Sequence, residues 1–181
     1  MQHKNKVLLA VSLIAIATLG RLIPHPWNMT PVAAAAIFAG VKLGKTYAVI
    51  VPLAAMLLGD VVIGFYNWHM LVVVYASMLA VGLVAYFTRS KKGGLIFLAR
   101  PVFASVLFFL TTNAAVCFFG TMYPHTLAGL AASYFAGLPF LGRDLMGNLL
   151  YTSLFFGVYE YFKGYSIKTM ISRVVSNGLV R

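Results

Sequence analysis

The sequence predicts an all-α integral membrane protein with six transmembrane helices and both termini in the cytoplasm. The first observation is composition: 61% of the 181 residues are hydrophobic and 9% are charged, whereas soluble domains carry about 25% charge. The second is length, because six spans of roughly 20 residues need about 120 residues in all. The third is the distribution of positive charge. This composition excludes a soluble globular enzyme and a disordered chain.

Six apolar runs define the predicted helices within a single membrane domain. They cover residues 7–23, 30–41, 46–65, 70–88, 102–119 and 143–162, and a basic cytoplasmic tail follows over residues 163–181. We interpret the first run as a retained span, because no A-x-A cleavage site follows it. The apolar part of the second run, Val32 to Val41, is only about 15 Å long as a helix. It must therefore extend back through the prolines before it or occupy a protein-lined position.

The basic residues set the predicted orientation. If the N-terminus is cytoplasmic and the spans alternate, all of the 14 basic residues except Arg21 and Arg143 fall on the inner side. Cytoplasmic loops of membrane proteins collect lysine and arginine in this way. The net charge of +11 is thus explained by topology, and we predict membrane lipid and not nucleic acid as its partner. The predicted location is the bacterial cytoplasmic (inner) membrane.

The connections on the predicted outer side share aromatic and histidine residues. Tryptophan and tyrosine are typical of the interfacial belt of a membrane protein, but a belt does not require histidine. Imidazoles on converging loops can bind a planar or anionic ligand, or a metal. Their spacing is not a metal-ligand motif, so we predict no metal and no other cofactor, with a metal on the three histidines as the alternative. The candidate residues of these loops are His25, Trp27, Asn28, Trp68, His69 and His125.

Polar residues inside the apolar runs are the second set of candidates. Asp60 lies about one and a half turns from the outer end of its span, where a carboxylate is costly unless it is paired or faces water. Asp144 is expected to begin the sixth span, where the helix dipole favours an acid. Together these residues predict a polar pocket that opens outward, formed by Arg21, Asp60, Asn113, Arg143, Asp144 and Asn148.

Several motifs of soluble and membrane enzymes are absent from the sequence. It has no G-x-x-x-x-G-K-[ST], no H-E-x-x-H and no G-x-S-x-G, which excludes ATP hydrolysis by a P-loop and the chemistry of the other two motifs. Cys117 is the only cysteine, so an intrachain disulfide is impossible. Six short helices are also few for a secondary transporter built from inverted repeats. A binding subunit that takes energy from partner subunits fits these absences.

The front of the chain carries a resemblance to a known class of membrane protein. Residues 21–31 (RLIPHPWNMTP), the alanine run after them, Gly40, Gly44 and Gly59-Asp60 resemble the front half of six-helix S components. These are the substrate-binding membrane subunits of energy-coupling factor (ECF) vitamin transporters. The chain is more similar to an uncharacterised family of small bacterial membrane proteins, whose back end resembles residues 134–140 (YFAGLPF) and 157–160 (GVYE).

The resemblance to S components implies an S-component-like bundle and a substrate pocket near the outer face. The loop after the first helix, His25–Thr30, would cap that pocket, and the protein would dock to an ECF coupling subunit with two ATPases. S components often carry an A-x-x-x-A pattern on the first span for docking, whereas Ala10, Ala15 and Ala17 lack that spacing.

The predicted function is therefore capture of a small, vitamin-like molecule from the outer face, without enzymatic activity. His25, Trp27 and Asn28 would gate the pocket, whereas Trp68, His69 and His125 would line its mouth. Polar groups of the substrate would contact Asp60, Asn113, Arg143 and Asn148. Two alternatives remain open at this point. One is an outer-leaflet membrane enzyme with one of the outer histidines as acid/base and Asp60 as its orienting group. The other is a non-catalytic membrane scaffold subunit.

Overall fold

The structure, a computed structural model, describes residues 3–24 and 28–178, with side chains through residue 164. The described residues form six α-helices and no strand, so the prediction of an all-α chain is confirmed. A π-helical segment, Ala39–Leu43, continues directly from α2. The helices are α1 (His3–Leu22), α2 (Val32–Phe38), α3 (Lys45–Ile63), α4 (Trp68–Phe87), α5 (Gly94–Phe119) and α6 (Leu127–Gly178).

Four of these helices, α1, α3, α4 and α5, are long and apolar enough to cross a membrane. Each has 19 to 26 residues, which matches the roughly 20 residues that a bilayer core requires. Many of their large apolar side chains are exposed, for example Leu8, Val61 and Val72. A helix surface of this kind is expected where the surrounding medium is lipid.

The short helix α2 lies at the centre of the bundle. All seven of its residues are buried, and it contacts each of the other five helices. Its alanine-rich sequence allows this, because small side chains let neighbouring helices approach closely. The second run therefore occupies the protein-lined position that was one of the two expectations for a helix too short to span.

The other helices surround α2 in chain order. Contacts join α1 to α3, α3 to α4, α4 to α5 and α5 to α6, but within the described residues α6 does not close the ring against α1. An apolar groove of about 870 Å³ occupies this opening, with Phe38 of α2 among its lining residues. We call it the α1–α6 groove.

Helix α5 begins at Gly94 and not at residue 102 as predicted, and helix α6 also begins earlier than predicted. It runs without interruption for 52 residues from Leu127, whereas the sequence placed the start of the sixth helix at residue 143. Gly137 and Pro139 are unfavourable inside a helix, but antiparallel packing of α6 along α5 maintains the helix through them. The assignment of Asp144 to a helix N-terminus is therefore wrong, because Asp144 lies inside α6.

The two ends of the bundle differ in chemistry. At one end, the basic end, Lys42 forms an ion pair with Glu160, and Arg100 donates to the Thr88 and Lys91 carbonyl oxygens. Asn5 of α1 and Lys163 of α6 both line the α1–α6 groove. Lys163 follows Glu160 closely in α6, so the start of α1 also lies at the basic end. At the other, the aromatic end, lie residues 23–24 and 28–31 of the first connection and the connections over residues 64–67 and 120–126.

Candidate functional site

A cavity of about 300 Å³, the central cavity, lies among the helices toward the aromatic end. Its apolar wall comes from α2, α3, α4 and α5. Its polar wall comes from Arg21, Asn28, Thr30, Tyr66 and Asp144. One basic and one acidic side chain therefore border a single space inside an apolar bundle.

A second cavity of about 300 Å³, the side cavity, lies between α5 and α6. Thr112, Asn113, Tyr123 and Ser133 provide its polar groups. A space of only about 20 Å³ separates the two cavities, and Asn28 lines all three. The backbone of Asn28 has a φ of 64°, a left-handed conformation that asparagine adopts more readily than most residues.

The side chain of Arg21 is positioned by an ion pair with Asp60. Nη2 of Arg21 lies 2.6 Å from Oδ1 of Asp60, and Nη1 donates to the Met56 carbonyl oxygen at 2.9 Å. The hydroxyl of Tyr75 donates to Oδ2 of Asp60 at 2.8 Å. Only 1% of Asp60 is exposed. Both of its carboxylate oxygens are occupied by protein groups, so Asp60 positions Arg21, and Arg21 is the member of the pair that borders the cavity.

Asp144 lines the same cavity in a different environment. Nδ2 of Asn148 donates to Oδ2 of Asp144 and to Oγ of Ser105, each at 2.9 Å. No lysine, arginine or histidine nitrogen of the described residues lies within 4.0 Å of Asp144. Within the same part of the chain, the buried Oδ1 of Asn148 and Oγ1 of Thr152 have no hydrogen-bond partner.

Tyr66 supplies a hydroxyl to the central cavity from the connection between α3 and α4. Burial raises the pKa of Tyr66, the nearby charge of Asp60 raises the pKa further, and Arg21 lowers it. The net shift is upward, so the hydroxyl keeps its proton at neutral pH and remains a hydrogen-bond donor as well as an acceptor.

The predicted mouth residues form a stack beside the cavities. The Trp68 and His69 rings lie 3.7 Å apart between centroids, and the His69 ring lies 4.8 Å from that of Phe119. This stack brings the second and third aromatic-end connections together. His125 lies in its own loop, with Nε2 3.2 Å from the Gly120 carbonyl oxygen. None of Trp68, His69 and His125 is among the residues that line the two cavities.

The other predicted residues divide between the cavities and their surroundings. Asn113 lines the side cavity and donates to the Phe109 carbonyl oxygen. Asn148 is buried behind Asp144. Arg143 is exposed and lies 6.0 Å from the Phe140 ring centroid. His25 and Trp27 lie outside the described residues.

No group of three or more histidine, cysteine, aspartate or glutamate side chains suited to a metal occurs among the described residues. The hydrogen bonds of Asp60 go to Arg21 and Tyr75. The acid/base alternative would instead use Asp60 to orient a histidine.

Arg21, Thr30, Tyr66 and Asp144 line the central cavity but were not among the predicted contact residues. Arg21 and Asp144 carried a signal, since both are charges in or beside an apolar run. Both were predicted to belong to the outward-opening polar pocket, but neither was predicted to contact the substrate. Thr30 and Tyr66 carried no comparable signal, because polar loop residues are common.

The fold and the cavity together define a class: the described residues are helical, four of their helices are long and apolar enough to cross a membrane, and a partly open cavity with polar and apolar walls lies between the helices. The chain belongs to the DUF6580 family, a family of unknown function, which matches residues 1–170. No curated protein and no solved structure matches the chain.

Proposed function

We propose that this protein is a membrane substrate-binding protein, similar in role to an S component, that captures a small molecule in the central cavity for uptake. The observation that carries the proposal is the presence of Arg21 and Asp144 on the walls of one cavity inside an apolar bundle. Ionisable groups within a membrane are costly and typically mark substrate or ion pathways. The cavity volume of about 300 Å³ is at the lower end of the usual range for small-molecule sites.

The position of the cavity supports capture from the outer face. The cavity lies toward the aromatic end, whereas the lysine-rich turns lie at the opposite end, which the positive-inside rule assigns to the cytoplasm. Asn28 borders the cavity from the connection after α1, the segment that the S-component resemblance assigns to the cap. Both termini are then cytoplasmic, and the ligand enters from outside.

The α1–α6 groove supports a partner in the membrane. Its lining is predominantly apolar and includes Leu9, Leu13 and Phe155, and the described residues of α1 and α6 make no contact that would close it. A helix of a coupling subunit that is driven by ATPases would bury these side chains. We include such a partner in the proposal, because the sequence contains no P-loop motif for ATP hydrolysis.

A cavity-filling substitution tests the binding function. Ala33 lines the central cavity and is buried, so Ala33→Leu places added methyl groups in the cavity, which has room for them. We expect native mass spectrometry of the protein, purified from its own membrane, to show a bound small molecule at one-to-one stoichiometry. Ala33→Leu should reduce the bound fraction at least tenfold.

Ala132→Leu is the matched control, because Ala132 is exposed on α6 and the added volume points away from both cavities. Ala132→Leu should retain the ligand at the wild-type level. Wild-type protein without any bound small molecule, or equal occupancy in the two variants, would contradict the proposal. The melting temperature of each variant shows whether the bundle is intact.

A further inference from the structure

We infer that the ligand of the central cavity is a small organic cation, such as a protonated amine or amidine, and that Asp144 is its counter-ion. This inference rests on the proposed function and specifies its substrate class. The first argument is a count of charges. The chain has three acidic residues, of which Asp60 pairs with Arg21 and Glu160 pairs with Lys42. Asp144 is the acid for which the described residues provide no cation.

Asp144 lies where a bound ligand could supply the missing positive charge. Its carboxyl group borders the central cavity, and Ser105, the residue beside it on α5, lies well inside that helix. An ionised carboxylate in such a place is stable only with a positive partner or with water. A cation bound in the cavity would supply the partner that the described protein groups do not.

The Asp144 carboxylate favours a donor-rich cation. Asn148 directs its Nδ2 donors to Asp144 and Ser105, which leaves its buried Oδ1 without a partner. Thr152, one further turn along α6, has an unpartnered buried Oγ1. Neither Asn148 nor Thr152 lines the central cavity, so the acceptor that a ligand meets there is the Asp144 carboxylate. Ammonium and amidinium groups suit it, because they provide several N–H donors in a small volume.

Arg21 does not convert the cavity into an anion site. Its guanidinium is paired with Asp60 at 2.6 Å. Arg21, Asp60 and an ionised Asp144 therefore carry one net negative charge. An anionic ligand in a cavity of about 300 Å³ would therefore meet the uncompensated charge of Asp144. The remaining N–H groups of Arg21 can bind a neutral acceptor on the same cationic molecule.

The test is a screen of small molecules in matched sets of equal shape and different charge. Benzamidine, benzamide and benzoate form one such set, with positive, zero and negative charge. Thermal stabilisation of the purified full-length protein is measured for several hundred sets. We expect the stabilising compounds to be concentrated among the cations, with at least tenfold weaker binding to Asp144→Asn. Glu160→Gln removes an acid at the basic end and should leave binding within twofold of wild type.

The outcomes separate this inference from the proposed function. Stabilisation by neutral or anionic compounds that Ala33→Leu abolishes would overturn the cation inference and leave the binding function intact. Cationic compounds that bind Asp144→Asn as tightly as wild type would also overturn it. If no compound of any charge stabilises the protein, the proposed function fails and the inference fails with it.

Two further comparisons test the inference independently of the Asp144→Asn yield and against an inorganic ion. The charge preference of the wild-type protein tests the inference without any variant, so poor yield of Asp144→Asn does not prevent a conclusion. Sodium chloride and potassium chloride are compared at equal ionic strength in the absence of organic compounds. A stabilisation by sodium over potassium that disappears in Asp144→Asn would assign the carboxylate to an inorganic ion and overturn the organic ligand.

Discussion

Asp60→Ala is expected to lower the free energy of unfolding by about 3–5 kcal/mol, the usual result of removing one partner of a buried ion pair. The loss is large because Arg21, whose side chain is only 13% exposed, would retain its charge without a counter-ion. The hydroxyl of Tyr75, which donates to the same carboxylate, would lose its acceptor as well. Equilibrium unfolding in detergent, followed by circular dichroism, measures the change.

The matched comparison is the second ion pair of the described chain. Glu160 is 51% exposed in its pair with Lys42, and exposed pairs contribute only about 0–1 kcal/mol. Glu160→Gln should therefore change the free energy of unfolding by less than about 1 kcal/mol. Equal losses in Asp60→Ala and Glu160→Gln would show that Arg21 and Asp60 are not a buried pair.

Gly82→Ala is the second substitution with a large expected effect. A Cβ atom at Gly82 would lie 3.0 Å from the carbonyl carbon of Ala48 and closer still to its oxygen. Backbone atoms cannot move aside as a flexible side chain can, so α3 and α4 would have to separate. We expect a loss of stability at or above the upper end of the roughly 1–3 kcal/mol typical of overpacking, seen as a lower melting temperature and a lower yield.

Gly157→Ala provides the control for the same chemical change in a helix. Apart from the adjacent residues and the backbone of its own helix, no described atom lies within 4 Å of a Cβ built at Gly157. Alanine also has a higher helix propensity than glycine by about 0.8–1.0 kcal/mol. This variant should melt at the wild-type temperature or above it. A Gly82→Ala variant that is as stable as Gly157→Ala would contradict the close approach of α3 and α4.

Hydropathy and charge predicted the parts of the fold that depend on solvent. The apolar runs that became α1, α3, α4 and α5 are long, and most of their boundaries fall near glycine, proline or basic residues. The start of α5 was missed, because it lies at Gly94 and not at residue 102. The start of α6 was also missed. Gly137 and Pro139 act against a helix locally, but contacts with α5, such as Ser133 with the Asn113 carbonyl oxygen, maintain the helix there. Sequence periodicity carries no information on such tertiary support.

The site could be predicted from the sequence where a charged residue lies in an apolar run. Asp60 was identified because a charge in an apolar run requires a partner, and Arg21 was placed with Asp60 in the predicted polar pocket. The partner role of Tyr75 was not identifiable, because a tyrosine in an apolar run has many possible environments. His69 and His125 were predicted from composition alone, and loop composition does not determine the direction of a side chain. His69 instead stacks between Trp68 and Phe119.

An experimental structure of the protein, purified from its own membrane without added ligand, tests most directly whether the central cavity holds a substrate. We predict compact, non-lipid density between Arg21 and Asp144, with a nitrogen-bearing group within hydrogen-bond distance of the Asp144 carboxylate. The Arg21–Asp60 pair should be intact beside it. A cavity closed by its own side chains, or filled by a lipid acyl chain that continues into the bilayer, would contradict the proposed binding function.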